Sequence, residues 1–389
     1  MATYAFETIT PEQALNIGAL DTLTFAGGPA SRVSVVYQSY DPLILTPEVP
    51  SILVTFGDRT VKFAVELTQL ARAGRAVMAD GYKLYIGDTS DEQVIGGAGH
   101  DGLYGGPGAD TVDAGAGDDI VQGNSGNDVL NGGAGSNTVY GGKGDDVINV
   151  STFRETRGSF AHGNQGDDEL VGGDGNDILY GGQGNDFIGG KDGDDLLFGD
   201  LGDDEIHAGG GDDTVFGGAG NDQIYSNGGD DLLLGGDGDD TLVMYMPGNA
   251  LAHGDAGNDT IISAAADATV LYGGEGRDRF EFTSNARPGE GMADLIADWE
   301  AGDSLSFAQV SIYTILPRQY SEFTAETYER ALQTANEHIM FTGAQYVAAQ
   351  VGDDVWVFAD TNGDSSDGAD VELMLVGRTL ADISLLNFV

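Results

Sequence analysis

A nine-residue repeat fills the middle of this chain and constrains its fold more than any other feature. One run of repeats extends from Gly96 to Asn149, a second from Gly163 to Val243, and two separate units begin at Gly254 and Gly273. In these 17 units the fourth residue is always Gly, the eighth is always aliphatic or Phe, and the sixth is Asp in 16. Self-similarity at a short fixed period is typical of a solenoid, in which each repeat stacks on its neighbours.

Each unit combines a turn with a short strand. Glycine tolerates positive φ, so the first six residues can form a tight turn. The last three residues place one apolar side chain between two outward ones, as in a half-buried strand. The pattern predicts an all-β dominated chain built around a right-handed parallel β-roll, in which two units make one turn.

The charge of the chain restricts its partners. It has 64 Asp or Glu but only 16 Lys or Arg in 389 residues, and residues 87–281 alone hold 39 acidic and six basic residues, a net charge of −33. Nucleic acid and anionic lipid are excluded because both would be repelled. No apolar run is long enough for a membrane span, and the absence of Cys excludes disulfides and thiolate metal sites. Cations are the expected partners.

The units resemble the GGxGxDxUx repeats of the RTX, or hemolysin-type, calcium-binding family. The resemblance implies several Ca²⁺ ions as cofactors, held between stacked turns by backbone carbonyls and by the sixth residue of each unit, and oxygen ligands of this kind suit calcium. Asn137 keeps an oxygen but lacks the charge, so its site is expected to be weaker. The implied ligands are Asp101, Asp110, Asp119, Asp128, Asn137, Asp146, Asp168, Asp177, Asp186, Asp195, Asp204, Asp213, Asp222, Asp231, Asp240, Asp259 and Asp278.

Folding of the repeats is expected to depend on the metal. Carboxylates stacked about 4.8 Å apart along a roll repel each other strongly. Metal binding would then supply folding free energy, as in other proteins that are unfolded without their ions. A disordered acidic linker is the alternative, but a linker has no reason to keep an aliphatic residue at every eighth position.

The segments that flank the repeats are predicted to be separate domains. Residues 1–86 contain short β-type segments and would form a small β domain that caps the first turn of the roll. Residues 87–281 form the roll. Residues 282–389 are predicted to form an α+β domain, and the stretch from Asp294 to Leu305 resembles one that follows the roll in serralysin-type proteins.

The C-terminal segment contains one predicted helix and one candidate calcium loop. Thr324 is the expected N-cap of a helix that carries Tyr328, Leu332, Ala335 and Ile339 on one face. The loop from Asp360 to Asp367 resembles the start of a D-x-[DN]-x-[DN]-G calcium loop, but Ser365 stands where Gly is required, so a polar hairpin loop is favoured.

Catalysis is not expected. The resemblance to serralysin-type proteases stops short of their zinc H-E-x-x-H helix, because residues 1–95 contain no His. The five His occur singly, and surface positions are favoured for His100, His207 and His338. No G-x-S-x-G motif is present.

The expected location is outside the cell. The N-terminus lacks the basic and apolar regions of a signal peptide. The C-terminal end resembles an uncleaved type I secretion signal, which predicts a secreted protein, either extracellular or associated with the cell surface.

One sheet of the roll is predicted to carry apolar side chains on its outer face. This holds if the insertion from Val150 to His162 uses one unit plus a bulge of four residues, so that later units keep alternating between the sheets. The outer face would then present Tyr104, Ile120, Tyr140, Ile178, Tyr180, Leu196, Phe198, Phe216, Leu232 and Leu234.

An exposed apolar patch of this size needs a covering. The C-terminal domain, a neighbouring copy of the chain, or a polysaccharide stacked on the aromatic rings could provide it. The sequence therefore predicts a calcium-binding RTX protein that folds on external Ca²⁺ and serves as a non-enzymatic surface or matrix component. Self-association would use Ile178, Tyr180, Leu196, Phe198, Phe216, Leu232 and Leu234, and a polysaccharide-binding module without catalysis is the alternative.

Overall fold

The structure of the chain is a computed structural model, and the chain divides into two compact units, Met1–Ile188 (unit 1) and Gly189–Val389 (unit 2). The structure describes residues 2–17, 22–26, 32–38, 51–56, 58–64, 67–72, 76–78, 82–151, 156–245, 248–264, 269–282, 294–300, 302–307, 320–342, 346–360, 369, 371–383 and 387–388.

Unit 1 begins with short strands and two short helices. They are β1 (Thr3–Ala5), α1 (Pro11–Leu15), β2 (Thr22–Phe25), β3 (Val33–Gln38), β4 (Ser51–Phe56), β5 (Arg59–Ala64), α2 (Leu67–Arg72) and β6 (Ala76–Met78). Strands β1, β2 and β6 form a parallel sheet, and β3, β4 and β5 form an antiparallel one. Apolar side chains such as Val33 and Phe63 share one core with Leu84, Ile86 and Tyr104, so this region packs against the first turn of the roll.

The repeats of unit 1 form two parallel sheets. Their strands are β7 (Leu84–Ile86), β8 (Gln93–Ala98), β9 (Gly102–Pro107), β10 (Thr111–Ala116), β11 (Ile120–Ser125), β12 (Val129–Asn131), β13 (Thr138–Lys143), β14 (Val147–Asn149), β15 (Phe160–Gln165), β16 (Glu169–Val171) and β17 (Ile178–Gln183). The even-numbered strands form sheet A and the odd-numbered strands form sheet B. β18 (Phe187–Asp192) contains the division between the units.

The insertion in the first half of the roll preserves the register. Thr138 pairs with Ile120 on one side and with Phe160 on the other, and Tyr140 pairs with His162. The turn that contains the insertion spans 22 residues instead of 18. Four extra residues therefore leave the alternation of sheets intact, as the sequence predicts.

The solenoid strands of unit 2 repeat the same arrangement. They are β19 (Leu196–Leu201), β20 (Glu205–Gly210), β21 (Thr214–Ala219), β22 (Gln223–Ser226), β23 (Leu232–Asp237), β24 (Thr241–Met244), β25 (Leu251–Gly257), β26 (Thr260–Ser263), β27 (Val270–Gly276), β28 (Arg279–Phe282), β29 (Asp294–Ile296) and β30 (Ser304–Phe307). The even-numbered strands form sheet C and the odd-numbered strands form sheet D. Parallel pairing continues beyond the predicted end of the roll at residue 281, because β28 pairs with β30 and β27 pairs with β29.

One apolar side chain per strand fills the interior of the roll. These residues occupy the eighth position of the repeat, and each is fully buried, which favours folding by about 1.5–3 kcal/mol for a side chain of this size. In unit 1 they are Leu103, Val112, Val121, Leu130, Val139, Ile148, Leu170, Leu179 and Ile188. In unit 2 they are Leu197, Ile206, Val215, Ile224, Leu233, Leu242, Ile261 and Phe280.

Unit 2 ends in a helix packed on four strands. The elements are β31 (Tyr320–Ala325), α3 (Tyr328–Thr342), β32 (Tyr346–Val351), β33 (Asp354–Ala359), β34 (Val371–Leu375) and a short 3₁₀ helix, Leu380–Asp382. β34 pairs with β29, so these strands extend sheet D. Ala335 and Ile339 are buried in this core and Tyr328 and Leu332 pack against it partly buried, as predicted for one face of the helix. Ala331, which the prediction did not include, is also buried there.

The start of α3 differs from the expected one. The predicted N-cap, Thr324, is wrong, because Thr324 lies in β31 and the side-chain oxygen of Thr327 accepts from the N–H of Arg330 at 3.3 Å. Residues 361–368, which carry most of the candidate calcium loop, lie outside the described residues.

The all-β parallel solenoid is confirmed. In the part of the chain that the structure describes, no helix is long and apolar enough to cross a membrane.

Candidate metal centre

Each repeat delivers its Asp at the end of a tight turn, one residue before a strand begins. Gly126 illustrates why the turn needs glycine, since its φ is 127° and an added Cβ would collide with the carbonyl of Gly108 in the previous turn. Asp128 follows two residues later and Val129 opens β12. Close stacking of the turns thus sets the Asp side chains in rows.

One oxygen of each carboxylate is held by the preceding turn. The N–H of Asp110 donates to Oδ1 of Asp128 at 2.7 Å, and the N–H of Asp128 donates to Oδ1 of Asp146 at 2.8 Å. The same bond joins Asp222 to Asp240 in unit 2 at 2.8 Å. These Asp residues are about 1% exposed, so each carboxylate is fixed between two turns.

The other carboxylate oxygen, Oδ2, is buried without a hydrogen-bond donor at many of these positions. Among the described residues this holds for Asp110, Asp119, Asp128, Asp146, Asp168, Asp213, Asp222, Asp240 and Asp259. A buried acceptor without a partner is costly. Nine such oxygens in a regular series indicate a ligand that the protein alone does not supply.

A carbonyl oxygen of the next turn faces the same space as Oδ2. A Cβ added to Gly217 would lie 2.5 Å from Oδ2 of Asp222 and 2.5 Å from the carbonyl oxygen of Gly235. In unit 1, a Cβ on Gly123 would collide with Oδ2 of Asp128 and lie 2.8 Å from the carbonyl oxygen of Gly141. Oδ2 has no donor and shares its space with a second acceptor, so the two oxygens repel each other, and a cation between them removes that repulsion.

The electrostatics of the rows agree with a missing positive charge. Burial raises the pKa of Asp128 to about 7 and that of Asp146 to about 8, although a backbone hydrogen bond opposes the shift in each. Neighbouring carboxylates add to the increase, for example Asp128 and Asp168 beside Asp146. The ionised form of these rows is therefore unfavourable until a cation neutralises it.

The donor set fits calcium. Ca²⁺ takes six to eight oxygen ligands, including carboxylates and backbone carbonyls. No three His, Asp or Glu side chains converge on one point in the described ranges, so most ligands at each site would have to be backbone oxygens. Gly-rich turns can bring several carbonyls to one place, which is what such a site requires.

The Asp residues form one row beside each sheet, named here after that sheet. Within unit 1, row A comprises Asp110, Asp128, Asp146, Asp168 and Asp186, and row B comprises Asp101, Asp119, Asn137, Ser159 and Asp177. Within unit 2, row C comprises Asp204, Asp222, Asp240, Asp259 and Asp278, and row D comprises Asp195, Asp213 and Asp231. The structure thus places every predicted ligand in a row.

Two acidic residues that were not predicted extend the rows. The N–H of Glu92 donates to Oδ1 of Asp110, and Glu92 lies where Asp would stand in the degenerate unit that starts at Gly87. The N–H of Asp278 donates to Oδ1 of Asp303 at 3.0 Å. The position of Glu92 as the sixth residue of the unit that starts at Gly87 was a usable signal. The irregular spacing before Asp303 gave no such signal.

At three predicted ligands, the second polar atom of the side chain already forms a hydrogen bond within the protein. The Nδ2 of Asn137 donates to the carbonyl of Val150 at 2.9 Å, the N–H of Gly173 donates to Oδ2 of Asp177 at 2.6 Å, and Ser226 Oγ donates to Oδ2 of Asp231. All three belong to rows B and D.

The fifth residue of the repeat forms a second, exposed series. Oδ1 of Asp167 accepts from the N–H of Asn185 at 2.8 Å, and Oδ1 of Asp239 accepts from the N–H of Asn258 at 2.7 Å. Nδ1 of His100 accepts from the N–H of Asp118 at 2.8 Å, so His100 belongs to this series. The sequence analysis predicted only a surface position for His100, and the frequency of Asp and Asn at the fifth position of the repeat was the missed signal.

The predicted apolar side chains occupy the outer faces of sheets B and D. In unit 1, Tyr104 is 2% exposed, donates its hydroxyl hydrogen bond to the carbonyl of Val33, and lies with Ile120 under the N-terminal region. Exposure of these two residues was therefore a wrong expectation, because residues 1–86 cover them. Ile178 is 39% exposed, and Tyr140 is half-buried.

In unit 2 the outer face of sheet D includes Leu196, Phe198, Phe216, Leu232 and Leu234, all half-buried. Phe198 and Phe216 stack with ring centroids 4.8 Å apart and planes 4° apart. On sheet C, His207 stacks on Tyr225 at 4.7 Å.

Comparison with known proteins assigns the repeats to a family. A family model described as RTX calcium-binding nonapeptide repeat (4 copies) matches residues 86–121, 122–151, 162–197, 189–224 and 207–242. No curated protein matches the chain. Among solved structures, an extracellular lipase, LipA from Serratia marcescens, is 19% identical over 63% of this chain with a TM-score of 0.19, and the chain covers 44% of that lipase.

Proposed function

This chain is an RTX calcium-binding repeat protein, and we propose that it is secreted, folds when it meets external Ca²⁺, and acts as a non-enzymatic component of the cell surface or extracellular matrix. The observation that carries the proposal is the series of buried Oδ2 atoms that have no hydrogen-bond donor and lie beside carbonyl oxygens of the next turn. Family membership supports calcium as the ion.

Calcium would act as a folding switch. Without ions, residues 87–281 carry a net charge of −33, and much of it would lie in rows of buried carboxylates. Because the rows exist only in the folded chain, ion binding would contribute directly to folding free energy. The proposed carboxylate ligands are Asp101, Asp110, Asp119, Asp128, Asp146, Asp168, Asp186, Asp195, Asp204, Asp213, Asp222, Asp240, Asp259 and Asp278. The other three predicted ligands, Asn137, Asp177 and Asp231, already form side-chain hydrogen bonds within the chain.

The same switch suits export. Extracellular calcium modules bind at about 10⁻⁴–10⁻³ M, a concentration that cytosolic calcium does not reach. The repeats would therefore remain unfolded inside the cell and could be threaded through a secretion channel. They would compact only on the outside.

A non-enzymatic role is supported by the geometry around His338. Nδ1 of His338 lies 2.6 Å from Oγ of Ser321, and the ring packs 5.5 Å from Phe323. In a Ser-His-Asp triad the serine contacts Nε2, and Nδ1 is held by the carboxylate. The contact of Ser321 with Nδ1 is thus the reverse of the catalytic arrangement. Turnover of a simple ester that is lost in Ser321→Ala would contradict this part of the proposal.

Self-association is proposed through the apolar outer faces. Ile178 is exposed on sheet B, and the half-buried side chains are Tyr180 on sheet B and Leu196, Phe198, Phe216, Leu232 and Leu234 on sheet D. The hydrophobic effect favours removal of such side chains from water. Another copy offers the same faces, so symmetric association is available to the chain.

Polysaccharide binding is the second candidate, since sheet D presents aromatic rings. The stacking of Phe198 on Phe216, with planes 4° apart, argues against it because each ring covers one face of the other. Sugar rings stack on open aromatic faces beside polar groups. Retention on a glycan column together with a monomeric calcium-loaded state would favour this candidate.

Far-UV circular dichroism tests the folding proposal. Titration from EDTA to millimolar Ca²⁺ should convert a largely unordered spectrum into a β spectrum, and the same titration with Mg²⁺ should convert much less because Mg²⁺ requires stricter octahedral geometry. A β spectrum that is already complete in EDTA would refute the proposal.

A further inference from the structure

Rows A and C each contain a stretch of consecutive Asp residues that is uniform in its need for a cation. Oδ2 lacks a donor at Asp110, Asp128, Asp146 and Asp168 in row A and at Asp222, Asp240 and Asp259 in row C. In each row the N–H of one acidic residue donates to Oδ1 of the next without interruption. In these stretches the Oδ2 atom of each Asp therefore faces the space that a calcium ion would fill.

Row B is different because Asn137 supplies its own donor. Oδ1 of Asn137 accepts from the N–H of Asp119 at 3.0 Å, which fixes the orientation of the amide. Nδ2 must then face the carbonyls, and it donates to Val150 at 2.9 Å and to Gly133 at 3.3 Å. A neutral N–H group stands where the other units would place a cation.

The next position of row B is also satisfied internally. Oγ of Ser159 accepts from the N–H of Asn137 at 3.0 Å, and the N–H of Ser159 donates to Oδ1 of Asp177 at 2.7 Å. Oδ2 of Asp177 accepts from the N–H of Gly173 at 2.6 Å. Three successive members of row B thus form hydrogen bonds without an ion.

Row D shows a similar replacement through a different residue. Ser226 stands where the repeat has its first Gly, and its Oγ donates to Oδ2 of Asp231. The next position of the series is Ala250, whose neighbour Leu251 donates its N–H to the carbonyl of Asp231. Oδ2 of Asp231 therefore already has a donor, and the next position of the series, Ala250, has no carboxylate.

We propose that calcium loads rows A and C along their length, and that rows B and D are closed to calcium at Asn137, Asp177 and Asp231 by the chain's own hydrogen-bond donors. This inference rests on the proposed calcium-dependent function and specifies which sites carry it. Rows B and D border the apolar sheets, so part of the contact between turns beside those sheets is independent of calcium.

Restoring the repeat consensus tests the inference. Asn137→Asp replaces the donor with a second acceptor beside the carbonyl of Val150, and Ser226→Gly frees Oδ2 of Asp231 in unit 2. Asn127→Asp is the matched control, because it adds the same charge at an exposed fifth position. Bound calcium per chain would be measured by atomic emission after equilibrium dialysis of each full-length variant.

We expect Asn137→Asp and Ser226→Gly each to bind about one more ion than wild type, and Asn127→Asp to bind the wild-type number. Asn137→Asp should also retain less β structure in EDTA. Wild-type stoichiometry in both consensus variants, with normal calcium binding by wild type, would overturn this inference alone. No calcium binding by wild type would overturn the proposed function instead. If Asn137→Asp does not fold, Ser226→Gly decides the outcome.

Discussion

The N–H of Asp110 donates a 2.7 Å hydrogen bond to Oδ1 of Asp128, one turn later in the roll, while Oδ2 of Asp128 is buried without a donor. One carboxylate therefore has one oxygen satisfied by protein and one that requires a cation. Repetition of this relationship along the chain explains how a segment with so much negative charge can form a compact solenoid.

Asp128→Asn should remove one calcium site and leave the turn intact. The orientation of Asn137 shows that an amide fits between the turns and donates to the facing carbonyl. Loss of the charged ligand should destabilise the calcium-loaded fold by about 1.5–3 kcal/mol, measured by urea unfolding in millimolar Ca²⁺. Asp113→Asn, an exposed acid on β10, is the control and should have almost no effect. Equal effects of both substitutions would contradict a specific site at Asp128.

Gly217→Ala should weaken calcium binding through steric conflict. Its Cβ would lie 2.5 Å from both Oδ2 of Asp222 and the carbonyl oxygen of Gly235, in the space proposed for the ligands of the ion. Overpacking of this kind costs about 1–3 kcal/mol. Gly210→Ala is the control, because the nearest atom to its Cβ is 3.7 Å away and its φ is not positive. Calorimetric titration with Ca²⁺ should show a lower affinity for Gly217→Ala only.

The calcium-free chain should lose structure as pH rises. Burial raises the pKa of Asp110, Asp119 and Asp222 to about 6, and that of Asp128 and Asp240 to about 7, from an ordinary value of about 4. Between about pH 4 and 7 the folded state holds more protons than the unfolded state, so the free energy of unfolding falls with increasing pH.

Circular dichroism in EDTA should therefore show most β structure near pH 4–5 and least above pH 7. In saturating Ca²⁺ the dependence should reverse, because protons compete with the ion for the carboxylates. Structure in EDTA that increases from pH 5 to pH 8 would show that the buried rows are not what destabilises the calcium-free state.

Phe216→Asn should reduce self-association without loss of the fold. Phe216 is half-buried on the outer face of sheet D and stacks on Phe198. Tyr225→Asn on sheet C removes a ring that also stacks, on His207, and serves as the control. Size-exclusion chromatography in Ca²⁺ should show fewer assemblies for Phe216→Asn only. An equal decrease in both variants would point to general destabilisation instead of an interface on sheet D.

The period of the repeat was sufficient to predict most of the fold. The apolar eighth residue gave the strands and the core, and the length of the insertion before His162 gave the register across it. The positions of the Asp rows followed from the same spacing, because stacking units of constant length aligns equivalent side chains.

Contacts between residues far apart in the sequence could not be predicted in this way. The N-terminal region covers Tyr104, whose hydroxyl donates to the carbonyl of Val33, 71 residues earlier in the sequence. The contact of Asn137 with Val150 depends on the orientation of one amide, which the hydrogen bond from the N–H of Asp119 fixes. Ser226 is a small departure from Gly in the sequence, and its effect on Asp231 depends on the direction of one hydroxyl group.

Sedimentation velocity of the purified chain, titrated from EDTA to millimolar Ca²⁺, tests the central claim most directly. We predict a slowly sedimenting, expanded species in EDTA that becomes compact as calcium is added and then forms dimers or larger assemblies. A species that is compact in EDTA and unchanged by calcium would contradict calcium-dependent folding. A species that compacts with calcium but remains monomeric would contradict self-assembly alone.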